Sequence, residues 1–370
     1  MSKEFNKKER LLSLDALRGF DMLFIMGLAG WVVAVCNLFP SSGLAGWISG
    51  QMGHVSWNGL AHHDTIFPLF LFIAGISFPF SISKQRANGK TEKQIYLKII
   101  KRGIILVLLG LVYNGIFRLE FENFRYASVL GRIGLAWMFA ALLFVNFKTK
   151  VLAIISAAIL IGYWLLLWLI PGGPDTYSVE NNLVGMIDRV IMPGRLYVNN
   201  NFDPEGLFNT IPAIVTALLG MFTGQFVRQS SDKISENKKV LYMIAAACGF
   251  LAIGLLWNTV FPINKNLWSS SFVCVLASYS LFLFAAFYYI IDVKGYRRWT
   301  LFFRVVGMNS ITIYLAQRII NFSQISRFFF GGVAGKCPEL WANIINTTGF
   351  LVVSWMFLYF LYKKNVFLKV

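Results

Sequence analysis

The three histidines of this 370-residue chain, His54, His62 and His63, all fall in the string QMGHVSWNGLAHHDTIFP, with Asn58 between them and Asp64 directly behind. Imidazole is the side chain that titrates nearest neutrality, so a carboxylate beside it opens three kinds of chemistry. A metal site is one, since His and Asp are good zinc ligands. Adjacent His62 and His63 point apart on a helix, however, no HExxH or Cys-rich spacing occurs, and no metal is expected. Proton relay in a transporter is the second. The third is general-base or nucleophilic catalysis by an imidazole that a carboxylate orients. In that role His54 and Asn58, four apart, face the same way if their stretch is helical, and Asp64 orients. His62 and His63 read as interfacial residues beside Trp57, an aromatic of the kind that collects at membrane boundaries.

The elements that must hold these residues are apolar. Hydrophobic residues make up 57% of the chain against 14% charged, and ten runs each approach the ~20 residues that cross a bilayer, at about 14–39, 63–83, 103–118, 128–147, 151–170, 208–228, 240–260, 270–291, 305–325 and 340–362. The expectation is an all-α polytopic membrane protein of about ten transmembrane helices in a single domain, 1–370. The first run is longer than a signal-peptide core and carries Asp15, Arg18 and Asp21 near its start, so it reads as a retained span. Ten spans put both termini on one side. That side takes 24 of the 34 basic residues, including Lys3, Lys7, Lys8, Arg10, the Lys84 to Arg102 loop and Lys363 to Lys369. By the positive-inside rule this face is cytoplasmic, and the net charge of +17 is topological and does not mark a nucleic-acid partner. Four cysteines without CxxC pairing read as small hydrophobes.

Ionisable and amide groups interrupt the runs at Asp15, Arg18, Asp21, Asp64, Asn114, Arg132, Asn309, Gln317 and Arg318. Such groups are costly in hydrocarbon unless they pair or face a cavity, so they point to a polar interior. Two connections on the non-cytoplasmic side are long, Pro40 to His62 and Pro171 to Leu207. The second carries Asp175, Glu180, Asp188, Asp203 and Glu205; it reads as a solvated loop within reach of a cationic acceptor.

The strings RLLSLDALRGFDMLFIM, HVSWNGLAHHDTIFPLFLFIAGISFPFS, NFDPEGLFNTIPAIVTALLG, INKNLWSSSFV and DVKG with VVGMNSITIYLAQR together resemble the heparan-alpha-glucosaminide N-acetyltransferase family. The resemblance runs in order from about Arg10 to Arg318. It implies transfer of an acetyl group from cytosolic acetyl-CoA to the amino group of a glucosamine on the far side of the membrane. The family's catalytic histidine falls on His54 and the aspartate of its D-x-x-F-P string on Asp64. Gln317 and Arg318 depart from a His-Glu pair that the family often has. The large luminal N-terminal region of the animal enzymes is not seen, which suggests a compact bacterial-type member of an inner membrane.

Such a reaction would place the phosphates of coenzyme A near the basic face, where Arg18, Lys98, Arg102 and Arg304 are candidates to hold them. Arg132 suits a cavity wall or pairing role. Asn58 or Asn309 could donate to the developing oxyanion. The implied partners are coenzyme A, an amino-sugar or glycan acceptor and membrane lipid, and a homodimer is compatible with the pattern. A proton-coupled transporter of a small polar solute or sugar is the rival reading.

Overall fold

The computed structural model describes residues 11–170, 175–197 and 201–368. Lys3, Lys7, Lys8, Arg10 and Lys369, counted on the basic face, lie outside the described residues, as do 171–174 and 198–200 of the second long connection. Among the described residues the secondary structure is helical apart from one isolated bridge between Arg125 and Gly194.

The first apolar run is helical but kinked: α1 (Leu12–Leu23) passes through a π-turn at Phe24–Leu28, where Gly27 leaves helical geometry (φ +131°), into α2 (Ala29–Cys36). A short α3 (Gly43–Gln51) fills the connection that follows, its first turn capped by the Ser42 hydroxyl, which accepts from Ala45 N. Then come α4 (His62–Ala87), α5 (Glu92–Asn114), α6 (Val129–Asn146) and α7 (Thr149–Leu169). The second long connection holds α8 (Leu183–Ile191), and α9 (Thr210–Val227), α10 (Glu236–Trp257) and α11 (Ser270–Tyr288) follow it. The chain ends with α12 (Thr300–Gly307), α13 (Ser310–Ile319), α14 (Phe322–Ala334) and α15 (Glu339–Lys363).

Eight of the ten expected spans are helices long and apolar enough to cross a membrane. The other two differ for separate reasons. Helix α5 has 23 residues, but Glu92, Lys93, Lys98, Lys101 and Arg102 fill its first half and leave a short apolar stretch. The ninth run breaks where Asn309 leaves helical geometry (φ −122°, ψ 24°), so it becomes α12 of 8 residues and α13 of 10. Asparagine offers its own side chain to nearby backbone and so favours such breaks.

Helix α4 is the hub: 72% of its apolar window is buried, against 17% for α10 and for α15. It packs on α9 so closely that a Cβ on Gly75 would strike Ala217 O and one on Gly220 would strike Phe72 O. Small residues at such crossings let helix backbones meet where lipid offers no hydrophobic drive. Beside this seam Phe67 meets Trp268 and Phe78 meets Trp137 edge-on, at 5.3 and 5.4 Å between ring centres. Large apolar side chains such as Ile154, Leu256 and Phe360 lie outward on α7, α10 and α15, as a lipid-facing perimeter requires. At the basic face Lys239 turns inward, and its ammonium donates to Val227 O and Gln229 O at the end of α9.

Candidate active site

Asp64 is the third residue of α4 and almost wholly buried. Its Oδ2 accepts from Val55 N and from Ala61 N, each at 3.2 Å. A carboxylate in a first turn satisfies N–H groups that the helix leaves unpaired and sits at the positive end of the macrodipole, so this position favours the charged form. Oδ1 is left to face His54, whose Nδ1 is 2.7 Å away.

His54 stands in the irregular segment between α3 and α4, and two anchors fix that segment. Trp57 Nε1 donates to Tyr177 O at 2.7 Å, and Gly59 N donates to Ile263 O at 2.8 Å. Gly59 has φ +117°, a conformation closed to other residues, so 54–60 is not helical and Asn58 does not share a face with His54. Instead the Asn58 carboxamide oxygen accepts from Asn264 Nδ2 at 3.0 Å. Asn58 therefore pins the connection between α10 and α11 against the histidine segment.

That connection supplies a residue not singled out from the sequence. Lys265 places its ammonium 3.2 Å from Asp64 Oδ1 and 3.1 Å from His54 Nδ1. Nδ1 cannot both donate to the carboxylate and accept from the ammonium. A carboxylate only accepts, and the 2.7 Å contact is the shorter, so Nδ1–H donates to Asp64 and Lys265 bonds the carboxylate. Nε2 is then the basic nitrogen of a side chain that is 57% exposed. Lys265 lies inside INKNLWSSSFV, so that string was the available signal.

His62 and His63 are half-buried. His62 Nδ1 lies 3.1 Å from Tyr279 OH and its ring meets Phe24 edge-on. The His63 ring packs against His54 at 4.7 Å. His63 is thus a wall of the site.

A cavity of about 450 Å³ lies within the bundle, and His54, Asp64 and Lys265 are not among its lining residues. Phe67 and Phe70, one and two turns beyond Asp64 on α4, line its upper part, and Arg18 and Arg102 line it toward the basic face. Arg18 pairs with Asp15 at 3.5 Å and donates to Ser77 Oγ at 3.3 Å. The Arg102 guanidinium lies 4.1 Å over the Trp137 ring with its Nε unbonded. The other anion-holding candidates fall elsewhere: Lys98 is exposed one turn before Arg102, and Arg304 lines a separate pocket at the basic face with Lys363. Asn309 is buried between Met308 and Ser310, which line the large cavity, and its Nδ2 has no partner.

Three of the five acids of the second long connection are drawn into the protein and do not form a solvated loop. Asp188 and Asp203 are fully buried, and Asp203 takes both Nε and Nη2 of Arg125 at 2.7 and 2.6 Å while Glu205 also bonds Arg125. Burial opposes the charge on Arg125, yet these carboxylates more than offset it and hold the guanidinium above its usual range. Asp188 accepts from Asp203 N at 3.1 Å, and burial pushes its own carboxyl up to about 6. Asp175 and Glu180 remain exposed. Arg132 takes the pairing role: it bonds Asn209 and lies 4.9 Å over Trp268. Gln317 donates to Met26 O at 3.1 Å, while Arg318 lies over the Tyr113 ring. Among the described residues no group of three or more His, Cys, Asp or Glu is placed to hold a metal ion.

A family model described as heparan-alpha-glucosaminide N-acetyltransferase, catalytic, matches residues 10–253, which takes in His54, Asp64, Arg18 and Arg102. Over 98% of its length the chain is 28% identical to the heparan-alpha-glucosaminide N-acetyltransferase of Homo sapiens, covering 60% of that protein, and over 100% it is 28% identical to that of Mus musculus, covering 63%. The chain thus spans about 60% of the length of these curated relatives. With a match across most of its helices and the dyad inside it, the chain belongs to the heparan-alpha-glucosaminide N-acetyltransferase catalytic family.

Proposed function

We propose that the chain is an acetyl-CoA-dependent N-acetyltransferase that modifies the amino group of a glucosamine-type sugar on the non-cytoplasmic side of a membrane. One observation carries this reading: an imidazole–carboxylate dyad with Nε2 free stands at the start of α4, the helix whose next turns, at Phe67 and Phe70, line a cavity that Arg18 and Arg102 also line. The relatives named above act on heparan alpha-glucosaminide by name, which supports the acceptor class. They lend no support to a transporter.

A glucosaminium has no lone pair, so it must lose a proton before its nitrogen attacks the thioester carbon. His54 Nε2 takes that proton. The N–C bond forms, the C–S bond breaks, and the second proton shed by the acylated nitrogen goes to the departing coenzyme A thiolate. Asp64 keeps Nδ1 protonated, so that Nε2 stays basic, and stabilises the imidazolium that forms. Lys265 balances the buried carboxylate and stands near the carbonyl oxygen's developing charge. The phosphates of the donor rest at the cytoplasmic end, where the unpaired Arg102 has free N–H groups; Arg18 is a weaker holder because Asp15 already engages it. The slim thioester arm fills the apolar cavity. In this reading the bundle is one transmembrane domain of ten crossings with both termini cytoplasmic, in a bacterial inner membrane, and a homodimer is compatible with it.

The test uses purified protein with acetyl-CoA and glucosamine. Acceptor-dependent release of free coenzyme A that vanishes in His54→Ala supports the proposal. If coenzyme A neither binds nor turns over while solute crosses liposomes down a pH gradient, the proposal is wrong. Radiolabelled acetyl-CoA given alone separates the two routes through Nε2: label retained on His54 marks a covalent intermediate, and active protein without label marks direct transfer.

A further inference from the structure

A second cavity, of about 310 Å³, is built on the connection after α5 and has a different lining. Arg118, Arg125, Arg195 and Arg318 surround it, and Glu120 is the one acid among its lining residues. These arginines come from three separate stretches of chain. Arg118 and Arg125 belong to the connection after α5. Arg195 is brought over by the Arg125–Gly194 bridge and its own N–H, which donates to Phe124 O at 3.2 Å, and Arg318 ends α13. Of the ten Lys and Arg residues not counted on the basic face, one of them Arg18 near its inner edge, four are gathered here, against the trend that a non-cytoplasmic face sheds positive charge.

Arg125 is committed to Asp203 and Glu205 and also supports Tyr197 by stacking at 4.4 Å. Arg118, Arg195 and Arg318 have no carboxylate partner among the described residues, and all three are exposed at the mouth. Clustered like charges repel, and structural needs do not explain three such guanidinium groups around one concavity; an anion that enters it relieves the repulsion. The pocket is also wired to the dyad. Asn209 donates to Asp203 O at 3.3 Å, to Pro204 O at 3.1 Å and to Asn266 O at 2.8 Å, so the carboxylate that fixes Arg125 and the loop that carries Lys265 share one anchor.

The geometry points to an oxyanion subsite at Arg118, Arg195 and Arg318 that holds an acidic group of the acceptor, a carboxylate, sulfate or phosphate, while its amino group reaches His54. This rests on the acetyltransferase reading for its purpose but not for its detection. Arginine forks take all three anions, so the experiment must tell them apart.

Binding is read first, by calorimetry on the full-length protein saturated with coenzyme A so that arginines on the basic face are occupied. Inorganic phosphate, inorganic sulfate and a simple uronic acid are titrated in turn, and the tightest names the group. Affinity for it should fall roughly tenfold or more in Arg118→Gln/Arg195→Gln, as loss of charge-assisted hydrogen bonds implies. Glu120→Gln should strengthen it, an outcome that misfolding cannot mimic. Equal affinity in all three proteins overturns the subsite. Acetyl transfer is read second: the ratio of kcat/KM for an acidic glucosamine derivative over neutral glucosamine should fall by a similar factor in the double variant, and an unchanged ratio overturns the link to the acceptor. If anions bind as expected but no sugar is acetylated, the subsite stands and the acetyltransferase reading falls. If sugars are acetylated and anions do not bind, the reverse holds.

Discussion

Asp64→Asn tests the dyad most sharply, because the surrounding donors dictate how an amide must sit. In the native site Oδ2 accepts Val55 N and Ala61 N, and Oδ1 faces His54 and Lys265. Asparagine keeps one acceptor oxygen, and the two backbone N–H groups claim it, since the reverse orientation would set donors against donors. The amide NH2 then faces His54 Nδ1, which must become the acceptor. The ring proton moves to Nε2, and the nitrogen meant to take the substrate's proton is blocked. Lys265 also loses its carboxylate and abuts an N–H group. General-base assistance is worth ~10²–10⁴ in rate, and the same substitution at the orienting Asp of a serine-protease triad lowers kcat by ~10⁴ through the wrong tautomer. His54 is 57% exposed, so its ring has room to turn and recover part of the loss. The expected fall in kcat is therefore ~10³, about 4 kcal/mol on the barrier, with KM for acetyl-CoA essentially unchanged. The assay is coenzyme A thiol release at saturating donor and acceptor. A fall smaller than roughly tenfold, or a loss carried by KM instead of kcat, would refute the tautomer argument.

Removing the cation beside the dyad, Lys265→Met, should lower kcat by roughly ten- to hundredfold, as loss of one electrostatic stabiliser does, while Lys265→Arg retains more activity in the same thiol assay. Asp188 has its folded pKa raised to about 6, so the folded chain holds that proton more tightly than the unfolded one. Its contribution to stability is full below the unfolded pKa near 4 and is lost as pH rises through about 6. Asp188→Asn should therefore shrink the difference in Tm between pH 4.5 and pH 7, and an identical difference in the two proteins would remove Asp188 as its source. Gly75→Val places a branched side chain against Ala217 O and Gly220; overpacking of this kind costs roughly 1–3 kcal/mol or more, seen as a lower Tm by scanning fluorimetry and poorer yield.

Much of the bundle is legible in the sequence because hydrocarbon demands long apolar runs, and that demand needs no knowledge of neighbours. The signal weakens where charge or a break interrupts the run: α5 carries charge in its first half and α12–α13 is broken at Asn309. The dyad is legible because His54 and Asp64 are ten residues apart and Asp64 opens an apolar run. Lys265 is not, since it reaches the dyad from 211 residues away and stands in a loop without periodicity. Helical spacing misplaces Asn58 because Gly59 breaks the geometry that the spacing assumes. Asp203 and Glu205 look solvent-exposed by type, but Arg125 arrives from 78 and 80 positions earlier to pair them, and Asp188 is buried where it accepts from Asp203 N.

The contact between Lys265 and His54 also carries a counting rule. Two residues that touch at one surface of a bilayer must be joined by a chain that crosses it an even number of times. Between them run α4, α6, α7, α9 and α10, five helices apolar enough to be recognised as crossings, and that number is odd. Without α5 the ammonium and the imidazole would be parted by the thickness of the membrane, yet they are 3.1 Å apart. We infer that α5, which carries the weakly apolar run at 103–118, is the crossing that restores parity, and a reporter fused in the 115–128 connection should then appear on the face that carries His54.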